Sequence, residues 1–206
     1  MTGSELLGFK YRFEPGESDR TLLLLHGTGA DENALIPLGH TLDSEANLLS
    51  PRGKVLEDGN ARFFRRFAEG VLDVEDLKSR THELVEFIEA AAEQHGFDST
   101  NVIAVGFSNG ANIAASILLL HPRLLPSAIL LRPMMPFAPE DKPDLSGVDV
   151  FIASGRTDTL IDPNDPERLA QLLESFGANV ALVWRQGGHQ LEPGEADSAR
   201  SWFERL

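Results

Sequence analysis

Six short apolar runs punctuate the chain: Thr21–Leu25, Asn47–Leu49, Val102–Val105, Ala128–Leu131, Val148–Ala153 and Val180–Trp184. Runs with so little polar alternation predict strands buried on both faces, as in a parallel sheet. Between them the apolar residues change period. Leu77, Leu84, Val85, Ile88 and Ala92 share one helical face at three- and four-residue spacing, as do Leu169, Leu172, Leu173 and Phe176. The second of these helices has readable ends: Asp165 can cap it, Pro166 suits the first helical position, and Gly177 can turn left-handed after the last turn. Ala199, Trp202, Phe203 and Leu206 predict a closing amphipathic helix. Strands alternating with helices require crossover connections, so the fold class is α/β, a mostly parallel central sheet with helices on both faces.

One segment changes period within itself. Val102–Leu120 carries no formal charge over nineteen residues, enough to cross a bilayer if helical. Gly106, Ser108, Asn109, Gly110, Asn112 and Ser116 lie inside it, and an apolar run gives way midway to a stripe of Ile113, Ile117 and Leu120. The segment reads as buried strand, turn and helix, and no stable membrane insertion is expected. Met1–Phe13 lacks the basic start and long apolar core of a secretory signal. Without internal repeats or a linker rich in Pro, Gly or Ser, residues 1–206 read as one domain. The least regular stretch, Arg52–Glu75, is a long connection of the kind that is more often functional than idle.

Charge and composition narrow the function. Against 18 Lys and Arg stand 32 Asp and Glu, a net charge of −14 that repels nucleic-acid phosphates and anionic lipid surfaces. The chain has no cysteine, which removes thiolate nucleophiles, cysteine-ligated metals and disulfides, and the expected location is cytoplasmic.

The candidate chemistry begins at Gly106-Phe107-Ser108-Asn109-Gly110, a G-x-S-x-G pattern with a strand candidate ending at Val105 and a helix starting near Asn109. A sharp strand-to-helix turn lifts the serine hydroxyl above the sheet, and the flanking glycines remove side chains that would collide there. The amide of Asn109 then sits at a helix N-terminus, free to stabilise an oxyanion. A serine hydroxyl needs a base. Of six histidines, His189 lies in the glycine-rich loop Gln186-Gly187-Gly188-His189-Gln190 between the last strand and the last helix, at the carboxyl ends of the strands, where active groups gather in an open parallel sheet. The acid is expected after the preceding strand, where Asp158 and Asp162 both qualify; Asp158, nearer the strand end, is favoured, since Asp162 before Pro163 can serve as a turn residue. His26-Gly27-Thr28-Gly29 offers the Thr28 amide as a second oxyanion donor, and neither phosphate-loop pattern is present there. Arg62-Phe63-Phe64-Arg65-Arg66 is a basic, aromatic cluster in an acidic chain, read either as a pocket wall with Phe63 or Phe64 against substrate or as packing with surface ion pairs. Leu160, beyond the candidate acid, is a further pocket candidate.

LLLLHGTGADEN at 22–33, VIAVGFSNGANIA at 102–114, SGRTDTLIDP at 154–163 and GGHQL at 187–191 together resemble the phospholipase/carboxylesterase family of small α/β-hydrolases, which includes bacterial carboxylesterases and acyl-protein thioesterases. The resemblance covers nearly the whole chain. It implies an α/β-hydrolase fold without a separate lid domain, a triad of Ser108, Asp158 and His189, oxyanion amides on Thr28 and Asn109, and no metal or organic cofactor. It implies hydrolysis of a small-molecule carboxylic ester, with thioesters or lysophospholipids as alternatives on the same triad, and a homodimer. A non-catalytic binding protein on this fold is the competing class, with loss of a triad member as its expected sign. Two positions depart from the family: Asn109 replaces a frequent Gln, and Arg132-Pro133-Met134 replaces small residues, both with consequences expected in the acyl pocket.

Overall fold

The computed structural model describes residues 4–206, so Met1–Gly3 of the N-terminal stretch read for a leader lie outside the described residues. In chain order the strands are β1 (Ser4–Leu6), β2 (Phe9–Glu14), β3 (Thr21–Leu25), β4 (Asn47–Pro51), β5 (Val55–Glu57), β6 (Asn60–Arg62), β7 (Arg66–Ala68), β8 (Val71–Leu72), β9 (Val102–Phe107), β10 (Ser127–Leu131), β11 (Asp149–Gly155) and β12 (Asn179–Arg185). The helices are α1 (Ile36–Leu42), α2 (Val74–His95), α3 (Asn109–Leu120), α4 (Asp165–Ser175) and α5 (Glu195–Phe203). Eight strands form one sheet in the order β1-β2-β4-β3-β9-β10-β11-β12. From β4 onward every neighbouring pair is parallel, while β1–β2 and β2–β4 are antiparallel. Each predicted strand is present; the antiparallel edge is additional.

The apolar runs divide by parity. Leu23, Ala104, Leu130 and Ile152 pack on one side beneath α2, α3 and α4, whereas Leu22, Leu24, Ile103, Val105, Ile129 and Phe151 pack on the other beneath α1 and α5. Because both faces are covered, alternate side chains are equally apolar, which is why the strands show no hydrophobic alternation. Each fully buried leucine contributes on the order of 1.5–3 kcal/mol, and Leu22 through Leu25 are all fully buried. At the antiparallel edge, β2 does alternate: Phe9 and Tyr11 are buried, Lys10 is exposed.

The helix ends need two corrections. In α4, Asp165 is the first helical residue and not the cap; Asn164 holds the cap position without a side-chain cap bond, because Asp162 has already begun the turn by accepting the Asn164 amide at 2.8 Å. The last helix stops at Phe203, and Leu206, expected on its apolar face, is exposed. Arg52–Glu75 holds two small hairpins, β5–β6 and β7–β8, hydrogen-bonded apart from the main sheet, then runs into α2. Val102–Leu120 is strand, turn and helix, and among the described residues no helix is long and apolar enough to cross a membrane.

Candidate active site

Ser108 stands between β9 and α3 with φ 52° and ψ −114°, a conformation that a residue with a Cβ adopts only under tertiary constraint. The constraint is visible in its neighbours. The Ser108 N–H donates to Leu131 O at 2.8 Å, and its carbonyl accepts the first turn's bond from Asn112 N at 3.0 Å. A Cβ on Gly110 would collide with the carbonyl group of Leu25, and one on Gly106 would lie 2.7 Å from Ala111 Cα. The two glycines therefore let α3 press against β3 and β9, and that pressure holds the serine outward.

His189 brings the three predicted side chains into one line. Its Nε2 lies 2.8 Å from Ser108 Oγ and its Nδ1 2.8 Å from Asp158 Oδ2. A carboxylate beside Nδ1 places the ring proton there, which leaves Nε2 to accept the serine proton. The Asp158 side chain is only 1% exposed, and its other oxygen accepts the Leu160 amide at 2.9 Å. Asp162 is turned away into its own loop, accepting both the backbone and side-chain N–H of Asn164. The Phe107 ring packs against the imidazole with centroids 5.5 Å apart.

The loop carrying His189 is held by a residue the sequence placed elsewhere. Arg132, expected to shape the acyl pocket, is fully buried with φ 57° and does not line the cleft. Its guanidinium donates to Gly188 O at 2.9 Å and to Gln190 O at 3.0 Å, the carbonyls on either side of His189. It also donates to Ala153 O and pairs through two nitrogens with Glu195, itself 2% exposed. Glu195 in turn accepts the Glu192 amide at 3.0 Å. Close approach completes the seat: a Cβ on Gly155 would overlap the carbonyls of Gly187 and Gly188.

On the opposite side, among the described residues, the backbone N–H groups of Thr28 and Asn109 donate to no protein acceptor. The Thr28 loop is set by His26, buried to 1% exposure, whose Nδ1 donates to Gly27 O at 2.7 Å and whose Nε2 accepts from Gly53 N at 3.0 Å. One donor and one acceptor require the neutral ring, and burial pushes the His26 pKa below its ordinary value in the same direction. The Asn109 side chain accepts the Phe63 amide at 2.8 Å and so ties the hairpin segment to the serine turn.

These groups meet at a cleft of about 290 Å³. Leu160, a predicted pocket residue, lines it; Phe63 and Phe64 do not, being 2% and 0% exposed in the core. The aromatic cluster is read correctly only in part, because its phenylalanines point inward while Arg62 and Arg66 face the cleft and Arg65 pairs with Asp73 and Asp76 at the start of α2. Met134, part of the Arg132-Pro133-Met134 departure expected to alter the acyl pocket, lines the cleft; Phe107 and Asn112 also line it and carried no separate sequence signal.

No protein-family profile matches the chain. It is 49% identical over 195 residues, 95% of its length and 98% of the relative's, to a Bacillus subtilis (strain 168) protein named "Putative hydrolase MhqD". The crystal structure of the Bacillus cereus carboxylesterase superposes with TM-score 0.93 at 47% identity, covering 96% of this chain and 94% of that one. A carboxylesterase from Mesorhizobium loti follows at TM-score 0.90 and 32% identity, covering 96% and 95%. With end-to-end similarity to carboxylesterases in sequence and in the arrangement of an eight-stranded α/β sheet, the chain belongs to the phospholipase/carboxylesterase family of α/β-hydrolases.

Proposed function

We propose that the protein is a serine carboxylesterase acting through an acyl-enzyme on Ser108. The observation that carries this reading is the unbroken line from Ser108 Oγ through the His189 ring to Asp158. As the hydroxyl attacks the ester carbonyl, His189 Nε2 takes its proton, and the Asp158 carboxylate stabilises the imidazolium and fixes its tautomer. The unpaired amides of Thr28 and Asn109 receive the developing oxyanion, the second aided by the dipole of α3. His189 then protonates the leaving alcohol, and water attacks the acyl group with the same ring as base. A cleft of about 290 Å³ lies at the small end of ligand pockets and suits short acyl groups better than long chains.

Ser108→Ala is expected to abolish both turnover of short p-nitrophenyl esters and covalent labelling by a fluorophosphonate. Mass spectrometry that places the adduct on a different serine, or full turnover in the variant, overturns the proposal.

A further inference from the structure

Resting on the esterase reading, we infer that the substrate carries a carboxylate close to its ester group, and that Arg62 and Arg66 recognise it. Both guanidiniums face the same cleft as Ser108. They share one carboxylate: Glu57 lies 3.1 Å from Arg62 Nη1 and 2.9 Å from Arg66 Nε. The hydrogen bond from Arg66 lowers the Glu57 pKa from its ordinary value, which favours its carboxylate form between the two cations. Burial and the nearby Arg66 both lower the Arg62 pKa, the mark of a cation that is under-compensated where it sits.

The donors left over point to a ligand. Arg62 is 4% exposed in its side chain and donates to Phe64 O at 3.2 Å and Thr28 Oγ1 at 2.8 Å. Among the described residues, its Nη2 and both terminal nitrogens of Arg66 donate no hydrogen bond within the protein. A guanidinium is built to hold a carboxylate by two parallel bonds, and a buried one gains most from doing so. Glu69 also borders the cleft, but it is exposed at the turn of the β7–β8 hairpin and pairs with neither arginine. Through Thr28, Arg62 stands beside the amide proposed for the oxyanion. The recognised carboxylate therefore belongs a few bonds from the scissile carbonyl, as in a half-ester of a small dicarboxylic acid or an acylated hydroxy acid.

Proton release in a pH-stat separates the possibilities with two matched pairs, monoethyl succinate against ethyl butyrate and acetoxyacetate against ethyl acetate. At low ionic strength at least one anionic member is expected to exceed its neutral partner about 10-fold in kcat/KM. That ratio is expected to shrink as salt rises, to fall at least about 5-fold in Arg66→Gln, and to grow in Glu69→Gln. Parity or neutral preference in both pairs, or a ratio unmoved by Arg66→Gln, overturns the inference while ethyl ester turnover leaves the esterase reading standing. If none of the four esters is hydrolysed and Ser108 is not labelled, both fall together.

Discussion

The two sides of the candidate active site are built by different physics. Ser108 is fixed by backbone sterics: two glycines, a carbonyl of β3 and the start of α3 leave one place for it. His189 is fixed by a buried charge network, with Arg132 gripping the carbonyls on both sides of it and Glu195 compensating the cation. Steric placement tolerates no added atom but depends on no partner charge. The polar clamp tolerates small shifts yet leaves a buried, uncompensated ion if either member is lost. The proposed nucleophile is therefore vulnerable to overpacking and the proposed base to unpairing.

The largest expected effect tests the base side without touching its clamp. Asp158→Asn is expected to lower kcat by at least about 10²-fold with an unchanged circular dichroism spectrum, while Asp162→Asn stays within about 10-fold of wild type. The reverse ranking would move the acid to Asp162. Next comes the clamp itself. Glu195→Gln leaves Arg132 buried without its counter-charge and is expected to cost about 3–5 kcal/mol in urea unfolding. The paired change Arg132→Met with Glu195→Leu removes both charges, so most of that stability should return while kcat stays low, since Gly188 and Gln190 have lost their donor. A silent Glu195→Gln would dissolve the contrast between the two sides.

On the nucleophile side, Gly110→Ala forces a methyl group against the Leu25 backbone, which cannot rotate away, and about 1–3 kcal/mol of stability is expected to be lost. Equal stability in that variant would mean α3 can retreat without cost. The smallest effect belongs to the Thr28 loop. His26 is held neutral in the fold, with its pKa lowered first by burial, whereas the unfolded imidazole protonates below about pH 6.5. The unfolded state therefore binds more protons there, and the stability His26 provides is complete above that pH and declines as pH falls toward the folded value. At pH 6 the loss is below about 1 kcal/mol, measurable as a steeper pH dependence in wild type than in His26→Gln. Identical slopes would place a charged His26 in the fold.

The same contrast decides what could be read from the chain. Ser108 was legible because its placement is local: a glycine-flanked serine between an apolar run and a helical stripe needs no distant partner. His189 and Asp158 were legible through chain order, each following a strand. The Arg132–Glu195 pair was not, because a charge at the end of one strand acquires meaning only from a carboxylate 63 residues later. Phe63 and Phe64 misled because adjacent aromatics suit a pocket wall and a core equally, and their backbone is oriented by bonds from residues distant in sequence, such as the one that Asn109 accepts from the Phe63 amide. Continuous apolar runs do not reveal β1, three residues without a buried one, or β2, whose first residues alternate between buried and exposed, or Asp58-Gly59, a two-residue hairpin signal at φ 51° and 83°. The helix α1 is short and contains Pro37 and Gly39, both poor helix formers.

The 63-residue separation between Arg132 and Glu195 is also an interval of time. At roughly 5–20 residues per second, synthesis reaches Glu195 about 3–13 s after Arg132 has been added. Until then the arginine lacks this counter-ion, and burying it carries an uncompensated cost. A chain that terminates early, even just before α5, already holds Ser108, Asp158 and His189 in its sequence but lacks the carboxylate that pairs with the arginine holding the His189 loop. Products truncated before α5 are therefore expected to be cleaved by protease faster than the full chain, since Arg132 lacks its counter-ion in them.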